Sequence, residues 1–221
     1  MIEGDRYILE FLSQRPKIDV LTPMRSTLLR LRAGLDGRTP STAAFKMLNE
    51  RRILSSQSLV SEQQNRAHWD AANHLLAVEA TEGHRPGLES LCRLNAVLTG
   101  SSGGFRAQPV FAGGFRYPSP DLFPAALDIL KAILLDDDAL TRAALSYIWV
   151  SNIHPFENGN GRTGRLFADA TLIQNGFLPL CFPTAAAAHV CRGYAENDFS
   201  LEECILRCWR GIEESFQILG A

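Results

Sequence analysis

A mostly α-helical bundle interrupted by one short β-hairpin is the fold that this sequence predicts, on three observations. Apolar residues recur at helical spacing along most of the 221 residues. The breaks between those stretches are helix stops and caps, such as Thr99-Gly100, Asp138 and Asn175-Gly176. Glycine and proline gather in one segment, Gly100 to Pro120, around the apolar run Pro109-Val110-Phe111-Ala112. A chain with 46% hydrophobic and 21% charged residues is globular, and this length buries a core without disulfide or metal staples. Its net charge of −2 excludes a protein-wide field for nucleic acid or an anionic lipid surface. No apolar run approaches the roughly 20 residues that span a bilayer, so no membrane association is expected.

Taken in order, Thr22-Pro23 reads as an N-cap with proline in the first turn, opening a helix to about Leu31 that ends near Gly34. A second helix runs from near Ser41 toward Leu54. A third covers about Gln63 to Val78, with Ala67, Ala71, His74, Leu75 and Val78 on one face and Gly83 as its stop. Leu88 to Leu98 is a fourth. Residues 100–120 read as a hairpin or flap with edge character, because proline cannot donate to an interior ladder. Helix resumes at Pro124 to Leu135, where Leu127, Leu130 and Leu134 share a face. Asp136-Asp137-Asp138 is a solvated turn whose last residue caps a helix from Ala139 to about Asn152. Further helices are expected from Asn160 to Gln174 and from Leu201 to Phe216, with an extended stretch, Phe177 to Thr184, between them.

Five cysteines, an odd number without a CxxC pair, read as reduced core thiols. Cys204 and Cys208, at i and i+4, are the one pair with a metal-like spacing. The acidic start, Met1 to Arg6, lacks the layout of a secretory signal. The expected place of work is therefore cytoplasmic, reached directly or by delivery into a host cytoplasm through an export signal of another kind.

Chemistry concentrates between Ile153 and Arg165. A histidine, His154, closes one helix, and the turn Asn158-Gly159-Asn160-Gly161 feeds the N-terminus of the next. Unsatisfied N–H groups at a helix start form an anion site, and glycine lets a ligand approach the backbone. Arg162 and Arg165 lie one turn apart just beyond that N-terminus, where they repel each other and the helix dipole. Stability does not favour that placement, whereas a polyphosphate would be gripped by both forks. With a histidine able to accept a proton near neutrality, the residues point to phosphate-ester chemistry.

At these residues the chain resembles the Fic family of protein-modifying enzymes, whose pattern is H-P-F-x-(D/E)-G-N-G-R-x-x-R. His154 to Arg165 agrees at every fixed position but one. The flanks are similar too: Gly104 to Phe111 resembles the family's flap and Tyr117-Pro118-Ser119-Pro120 the turn after it, and the Ala143-Ala144-Tyr147 helix and Gly176-Phe177-Leu178-Pro179 also fit. The likeness covers about Leu88 to Trp209, which suggests residues 1–86 as a helical N-terminal region and 87–221 as the catalytic core. It implies a Fic-type helical bundle that transfers AMP from ATP to a Tyr, Thr or Ser hydroxyl of a target protein, itself included. By the same resemblance His154 is the general base, Phe156 packs inward to hold the loop, and Gly159, Asn160 and Gly161 cradle phosphates. Arg162 and Arg165 meet the leaving pyrophosphate, and Tyr194 lies near the adenine. Val110, Phe111, Ala112, Gly113 and Gly114 form the flap that holds the target's backbone by strand addition.

One position departs. Where the family carries Asp or Glu as a ligand for Mg²⁺ or Mn²⁺, this chain has Asn158, which offers an oxygen without its charge. Low intrinsic activity or altered metal dependence is the expectation. Many family members also carry a restraining helix, (S/T)-x-x-x-E-(G/N), whose glutamate pairs with the last motif arginine. Ser58 to Gln63 resembles it, with Ser58 and Glu62 at the key positions and Gln63 at the last. Two alternatives stay open: a transferase using another phosphate-containing donor, and a weakly active nucleotide-binding regulator. Self-association stays open as well.

Overall fold

Helix α7 (Ala139–Ile153) is buried along its whole length, the mark of a helix surrounded by others rather than laid on a surface. Asp138 caps it as the sequence predicts, its carboxylate accepting from the Thr141 N–H at 3.2 Å. Helix α8 (Asn160–Gln174) packs closely along α7 because Gly164 presents no side chain there. A Cβ at that position would stand 3.1 Å from Val150 Cβ and 3.3 Å from Tyr147 Cδ2. The computed structural model describes residues 3–35, 42–54, 62–81, 83–112, 115–182 and 200–220.

Seven further helices wrap this pair among the described residues: α1 (Glu3–Leu12), α2 (Ile18–Leu35), α3 (Thr42–Leu54), α4 (Glu62–Thr81), α5 (Leu88–Thr99), α6 (Phe123–Leu134) and α9 (Leu201–Leu219). Helices α4 and α5 pack on each other and on α8; α6, α9 and α1 pack on α7; α2 and α3 pack on α9. One hydrophobic core therefore runs from Ile8 to Phe216. Two buried indoles fasten it: Trp149 donates to the Ala126 carbonyl at 2.7 Å, and Trp209 to the Leu140 carbonyl at 3.1 Å. A short hairpin, β1 (Phe111–Ala112) and β2 (Phe115–Arg116), pairs antiparallel with Phe111 opposite Arg116, as the glycines and prolines around it predict.

Three sequence readings change: the face read on the third helix, Ala67, Ala71, His74, Leu75 and Val78, is mostly its outer side, and α4 buries Trp69, Ala72 and Leu76 instead. Helix α1 carries no cap signal and went unread; Ile8, Phe11 and Leu12 hold it to the core. Thr22-Pro23 is not a helix start, because α2 begins at Ile18 and Pro23 lies inside it. The Thr22 hydroxyl donates back to the Ile18 carbonyl at 3.0 Å, a bond within the helix rather than a cap. Cys181, Cys204 and Cys208 are buried free thiols and Cys92 a half-buried one. Burial pushes the Cys181 thiol up to about 11, well away from a reactive thiolate. Among the described residues no helix is long and apolar enough to cross a membrane.

Candidate active site

The α7 helix ends on His154, which takes the left-handed conformation at φ 52° and ψ 59°. It is the one described residue other than glycine with positive φ. Glycine is the usual occupant of that place, and a side chain there costs about 1–2 kcal/mol. The turn bonds the His154 N–H to the Val150 carbonyl at 3.0 Å and leaves the ring half-buried against Tyr117, with centroids 3.8 Å apart and planes at 23°.

The loop that follows is held from inside. Phe156 is fully in the core and meets Phe105 with ring centroids 5.4 Å apart. Asn160, 2% exposed, spends its side chain on Phe156: its Oδ1 accepts from the Phe156 N–H at 2.9 Å, and its Nδ2 donates to the Phe156 carbonyl at 2.8 Å. What Asn160 offers at the helix start is its main chain. Gly159 has φ 77°, and a Cβ there would fall 2.6 Å from Thr99 Cγ2, so both conformation and space demand glycine. From α5, Asn95 Nδ2 donates to the Asn158 carbonyl at 2.9 Å and to Thr163 Oγ1 at 3.0 Å. The outer side of the turn stays open: Glu157, Asn158 and Gly161 are exposed. A cleft of about 260 Å³ opens beside Asn158, with Asn95, Thr99, Ser101, Ser102 and Glu157 in its wall.

Both motif arginines are buried, Arg162 at 3% and Arg165 at 5% exposed. Arg162 donates to Asn65 Oδ1 of α4 at 3.3 Å and to the Leu98 carbonyl at 3.1 Å. Arg165 donates to the Gly161 carbonyl at 3.3 Å and lies 6.0 Å from the ring centroid of Trp69 on α4. Behind it the buried Arg52 of α3 pairs with Asp169, which also accepts from the Leu180 N–H at 2.6 Å. Burial lowers the pKa of both motif arginines, helped by Arg165 at Arg162 and by Arg52 at Arg165. Arg52 and Arg165 both act on the buried Asp169 carboxylate, and Arg165 acts in turn on Arg162, a gathering of guanidinium groups that suits an anion.

The fit to a divalent metal is poor. Asn158 Oδ1, the oxygen at the expected ligand position, already accepts from the Gly159 N–H at 2.6 Å. It is a single neutral donor, and no group of three His, Cys, Asp or Glu gathers among the described residues. The residues present do not make a metal site of their own.

Of the residues singled out in the sequence, His154, Asn158, Gly159, Asn160, Gly161, Arg162 and Arg165 come together around the start of α8. Val110, Phe111 and Ala112 lie in and before the hairpin, and the Tyr117 N–H donates to the Val110 carbonyl at 3.1 Å. Ser58, Gly113, Gly114 and Tyr194 lie outside the described residues, as does the side chain of Glu62, whose backbone opens α4. Sequence reasoning missed Asn65, Trp69 and Asn95, and it took Arg106 and Tyr117 only as parts of the flap and of the turn after it. Each acts on a partner far away in the chain and follows no local pattern.

A helical bundle that sets a histidine and two arginines around a glycine-lined helix N-terminus has the groups with which an anion could be held beside an imidazole. Residues 86–172 match the model of the Fic/DOC family. The protein adenylyltransferase fic-1 of Caenorhabditis elegans is 25% identical over 166 residues, 70% of this chain and 33% of that protein. The chain thus spans about a third of the length of the curated relatives it matches. The structure of Fic-1 from C. elegans superposes with a TM-score of 0.65 at 21% identity, covering 90% of this chain and 70% of that one. That of IbpAFic2, covalently tethered to Cdc42, gives 0.64 at 14% identity over 92% and 72%. These likenesses show the fold.

Proposed function

We propose that the chain is a protein adenylyltransferase, moving AMP from ATP to a Tyr, Thr or Ser hydroxyl of a target protein. The observation that carries this reading is His154, held in a glycine's conformation beside the open N-terminus of α8 with two buried arginines behind it. In the reaction the target hydroxyl gives its proton to the His154 ring as its oxygen attacks the α-phosphorus. A new oxygen–phosphorus bond forms there, and the bond from the α-phosphorus to the oxygen bridging to the β-phosphate breaks. Pyrophosphate leaves, its charge met by Arg162, Arg165 and the first N–H groups of α8. The names of the curated relatives support this chemistry. The flap at Val110 to Gly114 would hold the target's backbone.

Regulation belongs to the same reading. Asn65 and Trp69 of α4 contact the two arginines, and Glu62 stands one turn before Asn65. Helix α4 would restrain the arginines until they are released to phosphate, with Glu62 and Ser58 as the restraining pair. A second reading, a nucleotide-binding regulator with little transfer, is favoured by the missing carboxylate at Asn158.

Purified chain is incubated with a cell lysate and ATP labelled at either the α- or the γ-phosphate, as wild type, Glu62→Gly and His154→Ala. Label entering protein from the α-position alone, increased by Glu62→Gly and lost in His154→Ala, is the expected result. Nucleotide binding with no label in any form would establish the regulator instead. Transfer of the γ-label would mean a different reaction.

A further inference from the structure

Arg106 lies between α5 and the hairpin and is only 3% exposed. Every polar contact of its side chain is to a main-chain carbonyl. Nε donates to the His154 carbonyl at 2.7 Å, and Nη1 to that of Gln108 at 2.8 Å. Nη2 donates to Pro118 at 2.6 Å and to Ile153 at 3.2 Å. Its own backbone N–H donates to the Pro155 carbonyl at 2.9 Å. The Phe123 ring covers the guanidinium, 5.0 Å from its carbon to the centroid. Among the described residues no carboxylate pairs with it. A buried cation with no carboxylate beside it is costly to desolvate, and what offsets that cost here is the set of main-chain carbonyls that no neighbouring helix satisfies.

What the fork does is join three stretches of chain at one point. Gln108 precedes the hairpin, Pro118 follows it, and Ile153, His154 and Pro155 are the end of α7 and the start of the motif loop. A guanidinium also suits the negative end of the α7 dipole, where carbonyls lack helical partners. The carbonyl it pins on His154 belongs to the residue whose backbone is held left-handed. Tyr117, the neighbour of Pro118, stacks on the ring of the same histidine. Ring and carbonyl of His154 are thus both referenced to the feet of the flap.

We infer that Arg106 is the positioning residue for His154 and couples it to the flap, so that a target strand docked on the hairpin bears on the orientation of the base. For its link to transfer this rests on the adenylyltransferase reading. Among the described residues the phosphate cradle, built from Gly159 to Arg165 and steadied by Asn95, makes no hydrogen bond to Arg106, so nucleotide binding and base alignment separate.

Arg106→Gln and Arg106→Lys are compared with wild type in the full chain by thermal melting, ATP titration calorimetry, initial rate of transfer, and the NMR signal of the His154 ring, assigned by its loss in His154→Ala. The expected result is a folded variant with unchanged ATP affinity, a rate lowered about 100-fold, and a His154 signal moved toward that of unstructured histidine. Arg106→Lys, which keeps the charge without the fork, should fall between. An unmoved His154 signal overturns the inference. So does a loss of ATP affinity and rate in step with melting temperature, or failure of both variants to fold, since each marks a purely structural role. If wild type itself transfers nothing, the adenylyltransferase reading fails while the His154 signal still decides the role of Arg106.

Discussion

The motif loop and the flap face the same histidine and are built in opposite ways. The loop is fixed from within by Phe156 in the core, by the two bonds between Asn160 and Phe156, and by Asn95 reaching across from α5. The flap is a ladder of two residues per strand, and Phe111 at its edge is 71% exposed. A short, open edge has backbone groups to offer a partner and little to lose by moving. The contrast separates two needs. Phosphate chemistry calls for donors that do not reorganise, whereas recognition of a protein segment calls for a surface that is unfinished until the segment arrives.

Substitutions can break or sharpen this contrast. The largest effect is expected from His154→Ala: transfer should fall about 10²–10⁴-fold with melting temperature preserved, measured by labelling and calorimetry. A variant that keeps its rate would remove the loop from the chemistry altogether. Next comes Phe156→Ala, which should cost about 3–5 kcal/mol in urea unfolding because it empties a filled core position. Gly159→Ala should cost about 1–2 kcal/mol for its positive φ, with more from the contact on Thr99, and should weaken ATP binding in titration. Asn158→Asp acts on the solvent side of the same loop. It adds about 1 kcal/mol of attraction for a cation, or about fivefold faster transfer at limiting Mg²⁺; an unchanged Mg²⁺ titration would sink the idea. Smallest in stability is Phe111→Ser, expected within about 0.5 kcal/mol of wild type, yet with weaker labelling of protein targets. Equal destabilisation by Phe156→Ala and Phe111→Ser would erase the distinction between the two regions.

Much of this was legible from the residues. The cap at Asp138, the stop at Asn175-Gly176 and the Gly/Pro-rich hairpin are local signals, and each lies where the sequence puts it. The Asn-Gly-Asn-Gly turn between a histidine and two arginines is likewise local, so the heart of the site could be read. Helix α1 could not be, because its hold on the core through Ile8, Phe11 and Leu12 is tertiary. Thr22-Pro23 misled because a helix already begun at Ile18 overrode a good start signal. The bonds of Arg106, Asn95 and Asn65 were invisible for a common reason: each reaches across tens of residues to the motif segment, and no spacing rule marks such a bond. Gly164 occupied a variable place in the motif pattern, and its closeness to Val150 emerges only when α7 and α8 lie side by side.

The left-handed turn at position 154 has a consequence for anyone redesigning this chain. A procedure that scores backbone comfort alone would put glycine there and be rewarded with a more stable protein. The same substitution would delete the residue proposed as the proton acceptor. Optimised for folding, this molecule would discard its chemistry at the first step, and a thermostability screen would have to hold His154 fixed to keep it.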